Sequence, residues 1–299
     1  MAVYKRHYKS HEGSITPDWS RFLVLSRYSL ETLFESRLLI GFLVACYVFP
    51  LFSLGLIYLH HNASALALLN INVNFLLPIN SEFFAIFMSV QGVFAFLLTA
   101  YAGPGLISPD LTNNALPLYL SRPISRAEYV LGKMAVLFIP LSCVTWIPGL
   151  ILFFTYAGLT GNNWAWNNAH YAWAMLAGFC IWIVILSLLA MALSAWVRWK
   201  LAASALLFGI FFISAAFAEM INNIMRTKLG NALNLGKVMG IIWAKMLQVK
   251  AQGTIIGEMF DIRRGDELPQ WLAWLVVVLI CGLCVWMLDR RLRGREVVA

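Results

Sequence analysis

Residues 171–196 read YAWAMLAGFCIWIVILSLLAMALSAW, a continuous apolar run without a charged or histidine side chain. A helix needs about 20 mainly apolar residues to cross the hydrocarbon core of a bilayer, so this run predicts a transmembrane helix. Five more runs meet the same requirement, and together they predict an all-α integral membrane protein with six transmembrane helices. The six predicted spans are residues 38–59, 83–103, 134–157, 171–196, 201–218 and 271–288.

The composition agrees with a membrane protein. Of the 299 residues, 61% are hydrophobic and 12% are charged, whereas a soluble domain has about 45–50% apolar and about 25% charged residues. The net charge of +8 could indicate nucleic-acid binding, but the basic residues lie beside the predicted spans. The expected counterpart is therefore the lipid bilayer, through an anionic surface, or a protein docked there, and no nucleic-acid partner is expected.

The distribution of lysine and arginine predicts the orientation of the spans. The connections at 60–82 and 158–170 contain neither residue type, whereas four other regions carry several. Because cytoplasmic loops have an excess of lysine and arginine, these four regions and both termini are expected in the cytoplasm. The basic residues of these four regions are Lys5, Arg6, Lys9, Arg21, Arg27 and Arg37, then Arg122, Arg126 and Lys133, then Arg198 and Lys200, and finally Arg290, Arg291, Arg293 and Arg295. The long segment 219–270 has mixed charges, and long segments cross a membrane with little regard for charge.

This topology divides the chain into successive parts. Residues 1–37 form a cytoplasmic segment, 38–218 hold five spans and the cytoplasmic loop 104–133, 219–270 are extracytoplasmic, 271–288 form the last span, and 289–299 form a basic cytoplasmic tail. Within the outer segment, LGKVMGIIWAKMLQV (235–249) is too short and too charged to span a bilayer. It therefore predicts an interfacial or re-entrant helix before the last span.

The amino-terminal segment predicts an amphipathic helix. Thr16-Pro17-Asp18 is a helix start, with a capping hydroxyl, a proline at the first helical position and an acid in the first turn. Apolar residues then recur at three- and four-residue steps, which favours a helix lying in the cytoplasmic interface. A membrane anchor with no further task is the alternative. The apolar stripe consists of Trp19, Phe22, Leu23, Leu30, Leu33 and Phe34, and Arg21, Glu31 and Glu35 point away from it.

Several chemistries lack their residues in this sequence. No predicted span has an ionisable side chain away from its ends, which disfavours proton relays and ion-coupled carriers. The five histidines lie outside the bilayer core and the five cysteines lie in apolar runs, so neither haem nor zinc is indicated. The motifs HExxH, GxSxG and GxxxxGK(S/T) are absent. We therefore expect no catalytic residue, no metal or cofactor and no ATP site in this chain.

The loop between the second and third spans has residues that predict defined helix starts and ends. Ser108-Pro109-Asp110 is a helix start, and Pro117 and Pro123 limit the length of the helix that follows. Ser125-Arg126-Ala127-Glu128 fits a capping box that begins the helix entering the third span. Arg122 and Arg126 are expected to be exposed, where a guanidinium can bind a partner's carboxylates or carbonyls. The alternative is that these arginines only enforce the orientation of the spans.

The stretch GLISPDLTNNALPLYLSRPISRAEYVLGK (105–133) resembles the cytoplasmic loop of ABC transporter permeases of the type-2 exporter class. In that class a glycine-rich exit from the second span, an acidic residue and a LYLSRPxSRxEYxxGK pattern precede the third span. The wider plan is also similar, with an amphipathic N-terminal elbow helix, six spans with both ends inside, and a larger outer segment with re-entrant character.

The resemblance implies a half-transporter without an ATPase domain of its own. Such a chain pairs with a second permease chain, identical or similar, and binds a separate ABC ATPase subunit that holds ATP and Mg²⁺. It also implies a multi-pass protein of a bacterial inner membrane. The uncharged, aromatic-rich spans favour export of an apolar or amphipathic substrate. A non-transporting anchor or scaffold subunit stays open, as does an integral membrane enzyme that uses His60, His61, His170 or the outer carboxylates.

The resemblance also places the elbow helix and the loop between spans two and three against the ATPase. The arginines would be the contacts, Pro123 would end the short helix, and Glu128 would be half of the capping box. The implied ATPase-coupling residues are Asp110, Arg122, Pro123, Arg126, Glu128 and Lys133, and those of the elbow helix are Trp19, Arg21, Phe22 and Arg27.

Overall fold

The computed structural model describes residues 21–62, 78–113, 125–197, 199–249 and 268–292, and in these residues all regular secondary structure is helical. Two 3₁₀ turns, Gly103–Gly105 and Leu229–Leu233, accompany the α-helices. In chain order the α-helices are α1 (Arg21–Phe34), α2 (Arg37–His61), α3 (Ser81–Ala102), α4 (Ser108–Thr112), α5 (Arg126–Val144), α6 (Trp146–Thr160), α7 (Asn162–Asn167), α8 (Ala169–Trp196), α9 (Lys200–Met225), α10 (Leu235–Met246) and α11 (Gln270–Leu292).

The six predicted spans are confirmed as helical segments that are long and apolar enough to cross a membrane. All six are longer than predicted, and the second and third extend furthest, because the second continues through α4 and the third combines α5 with α6. The six segments are Arg37–His61, Ser81–Thr112, Arg126–Thr160, Ala169–Trp196, Lys200–Met225 and Gln270–Leu292.

The fourth span, α8, lies at the centre of the bundle. It packs against the second, third, fifth and sixth spans and against α10, and most of its side chains from Ala174 to Ala195 are buried. The outer helices α2, α9 and α11 expose long apolar faces. In a bilayer such faces contact lipid, which is as apolar as the side chains themselves.

The third span is interrupted at Thr145, between α5 and α6. Pro148 has no N–H, so it cannot donate a helical bond to the carbonyl four residues earlier. Next to the break, the hydroxyl of Tyr47 on α2 donates to the carbonyl of Cys143 at 2.7 Å. A backbone carbonyl at membrane depth needs such a partner, because lipid offers none.

Contacts between chain segments bring the ends of the spans together at one end of the bundle, here called the basic end. The hydroxyls of Ser36 and Tyr101 are 2.8 Å apart, and the Lys200 ammonium lies 4.9 Å from the centre of the Tyr101 ring. The Arg291 Nε donates to the carbonyl of Ala195 at 3.2 Å. The start of α2 and the end of α11 therefore share this end, as an even number of spans requires. Its cytoplasmic location stays a prediction.

Helix α10 occupies the segment predicted as interfacial or re-entrant. The indole N–H of Trp243 donates to the carbonyl of Gly178 at 3.2 Å, and its ring lies against Gly92. At 1.5 Å per residue, Gly178 is about 14 Å along α8 and Gly92 about 16 Å along α3. These depths are roughly half of a hydrocarbon core of about 30 Å. The packing therefore favours a re-entrant helix over one that lies on the surface.

Candidate functional site at the basic end of the bundle

The segment that leaves the second span is fixed to α8 by one buried serine. The hydroxyl of Ser194 accepts hydrogen bonds from the backbone N–H groups of Ile107 and Ser108, at 3.1 and 3.0 Å, and donates to the carbonyl of Pro104 at 2.7 Å. A Cβ at Gly103 would lie 2.5 Å from the Cβ of Ala190, so only glycine allows this close approach. The predicted helix start at Ser108 is confirmed, and its backbone is held in place.

A buried ion pair joins the two sides of the loop. The Lys133 ammonium on α5 lies 2.8 Å from Asp110 Oδ2 on α4, and the two side chains are 7% and 15% exposed. The Tyr129 hydroxyl, also buried, donates to the same carboxylate oxygen at 2.7 Å. Removing one partner from a buried pair leaves an uncompensated charge, at a cost of about 3–5 kcal/mol. Asp110 and Lys133 therefore hold the loop ends together from within.

The predicted capping box at the start of α5 is confirmed. The Ser125 hydroxyl accepts from the backbone N–H of Glu128 at 3.2 Å, and the Glu128 carboxylate accepts from the backbone N–H of Ser125 at 2.6 Å. These reciprocal bonds satisfy amides that a helix start otherwise leaves unpaired. Arg126 follows the cap directly and is exposed. Arg126 is thus an exposed cation on a helical turn that the capping box stabilises.

Helix α1 packs along the start of α5. The Ser26 hydroxyl donates to the carbonyl of Gly132 at 2.7 Å, and the Lys133 ammonium lies 3.4 Å from the Ser29 hydroxyl. On the outward face, the Arg27 guanidinium lies 3.0 Å from Glu31, one turn away, and its side chain is 80% exposed. Lys133 thus contacts both α1 and α4, so these two helices and the start of α5 are joined by polar contacts.

The structure describes the side chains of five of the ten predicted site residues. Arg122 and Pro123 lie outside the described residues, as does Trp19 with the predicted Thr16-Pro17-Asp18 helix start, and the side chains of Arg21 and Phe22 are not described. Among the other predicted residues, Asp110 and Lys133 are brought together, Glu128 is used by the cap, and Arg126 and Arg27 are exposed.

Sequence reasoning missed Ser194, Tyr129 and Ser26, which fix the site. Each is a polar side chain close to the end of an apolar stretch, a position where a hydroxyl often satisfies backbone groups. That position was the available signal, but each partner lies far along the chain or on another helix. Ser194, for instance, contacts residues 104–108, whose proximity depends on how α3 and α8 pack.

The histidines of the alternative enzyme reading lie at helix ends. His60 and His61 end α2, and His170 lies at the start of α8, where its ring is 4.2 Å from that of Tyr171. Within the five described stretches, no group of three or more histidine, cysteine, aspartate or glutamate side chains is arranged to hold a metal ion.

No protein-family model matches this chain, and no curated protein is significantly similar to it. The feature that bears on function is therefore the basic end, where polar contacts join α1, α4 and α5.

Proposed function

We propose that this chain is the membrane-spanning permease subunit of an ATP-driven exporter of the ABC type-2 class. A separate ATPase subunit binds ATP and Mg²⁺, docks on the basic end and drives transport of an apolar or amphipathic substrate. A second permease chain, identical or similar, completes the membrane part. The basic end then faces the cytoplasm of a bacterial cell.

The observation that carries the proposal is that the two described ends of the link between the second and third spans are fixed to the bundle and to each other. Three hydrogen bonds of Ser194 fix one side of the link to α8, and the Asp110–Lys133 pair joins that side to α5. A force applied to the start of α5 is therefore passed to the second, third and fourth spans together.

The arrangement also explains how ATP could act without a binding site in this chain. ATP favours the closed pair of ATPases, and it can shift the permease only through contacts that differ between its two packings. Rigid-body movement of docked helices is one established way to couple such states. Because Lys133 joins α1, α4 and the start of α5, an ATPase that touches these helices would move them as a single body.

Arg126 and Arg27 give this surface its exposed charges. A guanidinium offers five donors in a fixed plane and suits carboxylates or helix-terminal carbonyls on a partner. Asp110 and Lys133 have a different role in the proposal, because their charges are used inside the chain. They stabilise the docking surface from within. Arg126 and Arg122 contact the ATPase.

The test is purification of the full chain from its native membranes, identification of any ATPase that copurifies with it, and an assay of ATP hydrolysis. The double variant Arg122→Ala/Arg126→Ala is expected to lose the ATPase or to hydrolyse ATP without transport. Arg226→Ala is the matched control, because Arg226 is exposed at the far end of α9. Normal assembly and substrate-stimulated hydrolysis in the double variant would refute the docking site. Copurification with other membrane proteins and no ATPase would instead support the scaffold alternative.

A further inference from the structure

The outward face of α11 carries an apolar stripe that ends in a cation. The opposite face packs on the bundle through buried residues such as Val277, Cys284 and Leu288. Leu279, Leu283 and Trp286 are more than half exposed, at 62%, 56% and 57%. Steps of four and three residues place these three side chains on one helix face, and Arg290 continues the row by one more turn.

The charged top of this stripe is ordered by its aromatic neighbours. The guanidinium of Arg290 lies 5.3 Å from the centre of the Trp286 ring, and that of Arg291 lies 5.8 Å from the centre of the Trp196 ring. A cation over an aromatic face is attracted by the electrons of the ring. Tryptophan and arginine are also common at the ends of spans, at the depth of the lipid headgroups.

The two spans that frame this surface are tied together. Arg291 Nε donates to the carbonyl of Ala195, and the indole N–H of Trp196 donates to the carbonyl of Met287 at 3.3 Å. The ends of α8 and α11 are thus joined, and this holds in place the helix end that carries Arg290. The Nε of Arg291 donates the hydrogen bond that joins the two helices, whereas Arg290 is exposed on the lipid-facing side.

The charge at this end fits an anion. Asp289 is the acidic residue of α11, and it is followed directly by Arg290 and Arg291, so the last turns keep a net positive charge. The sequence adds Arg198, Lys200, Arg293 and Arg295 close to the same two span ends, with Glu296 as the nearby acid. Basic groups between helices at such an end attract lipids with a negative headgroup.

We propose that Leu279, Leu283, Trp286 and Arg290 form a binding site for one anionic phospholipid. An acyl chain lies along the two leucines, the tryptophan contacts the glycerol region, and the phosphate accepts hydrogen bonds from Arg290. The apolar stripe and the cation are in the order that a phospholipid requires, with hydrocarbon towards the middle of the span and charge at its end. This site is independent of the proposed ATPase docking.

The test uses native mass spectrometry of the full chain in a neutral detergent with equal amounts of phosphatidylglycerol and phosphatidylcholine. The unchanged chain is expected to retain phosphatidylglycerol preferentially. Arg290→Gln should reduce that preference about five-fold, the effect of one basic group near an anionic surface. Arg290→Lys keeps the charge and should retain most of the preference. Arg37→Gln is the matched control, because Arg37 is also exposed at the basic end and its loss should leave the preference unchanged.

Three results would overturn the site. One is equal retention of both lipids by the unchanged chain. Another is the same loss in Arg37→Gln as in Arg290→Gln, which would show a general effect of surface charge. The third is displacement of the bound lipid by inorganic phosphate at comparable concentration, which would show that the acyl chain contributes nothing. Unaltered thermal unfolding of Arg290→Gln, expected for an exposed side chain, shows that a lost preference is not a lost fold.

Discussion

At the scale of single residues, the apolar interior contains polar side chains that repair gaps in the helical hydrogen bonding. Pro50 lies inside α2 and offers no N–H to the carbonyl of Cys46, four residues earlier. The side-chain amide of Gln91, fully buried on α3, donates to that carbonyl at 3.2 Å. The Gln91 Nε2 group thus replaces the missing donor at Pro50, whereas its Oε1 is buried without a hydrogen-bond partner in the described residues.

This explanation predicts that Gln91 and Pro50 are energetically coupled. Gln91→Leu is expected to lower the free energy of unfolding by about 1 kcal/mol, because the Cys46 carbonyl then loses its donor in lipid. Pro50→Ala restores an N–H within α2, so the same leucine substitution should cost less in that background. Unfolding by sodium dodecyl sulfate in mixed micelles measures all four proteins of the cycle. Additive effects of the two substitutions would contradict the assignment.

The charged residues of the loop show how far sequence reasoning reaches at this scale. The capping box could be predicted because both of its partners lie within four residues, and Ser125 and Glu128 form it. The pairing of Asp110 with Lys133 could not, because it depends on how α4 and α5 meet across the bundle. The family resemblance implied that both are ATPase-coupling residues, and in the structure each contacts the other.

At the scale of elements, helix α10 shows how two glycines can admit a short helix between spans. A Cβ at Gly92 would lie 2.7 Å from the Trp243 ring, and one at Gly178 would lie 2.9 Å from it. The ring is also close to those of Phe179 and Trp182, with centroid distances of 5.8 Å in both cases. Small residues are thus required where the indole enters the bundle.

Substitution of Gly92 by alanine is therefore expected to displace α10. The rigid indole cannot yield without moving its helix, and such overpacking costs about 1–3 kcal/mol of unfolding free energy. Gly55→Ala is the control, because a Cβ there meets nothing within 4 Å. That change should be neutral or stabilise α2 by up to about 1 kcal/mol. Thermal unfolding in detergent compares them, and equal stability of the two variants would show that Trp243 does not pack as described.

The elements themselves could be predicted because span length and apolar composition are local properties. Each predicted span lies within a helical segment of the structure, and 235–249 contains α10. The depth of α10 could not be predicted, since a short apolar helix fits either an interface or an interior. Whether α10 lies at the interface or inside the bundle depends on the space beside Gly92 and Gly178. That space forms only when α3 and α8 pack together.

At the scale of the whole molecule, the bundle has two ends with different properties. The basic end joins α1, α4, the start of α5 and the ends of α8 and α11 through hydrogen bonds and an ion pair. At the other end, the chain after α9 turns through Leu229–Leu233 and returns inward as α10. Such asymmetry suits a protein that receives force at one end and changes its packing at the other.

The proposed function requires an ATPase to dock at the basic end. This docking is tested by placing a photo-cross-linking amino acid at position 126 of the full chain, in membranes of its source cells, where the partner ATPase would be present. We expect a cross-linked product with that ATPase at position 126 and none at position 226, on the opposite end. The absence of this product at position 126, or equal yields at the two positions, would contradict the account.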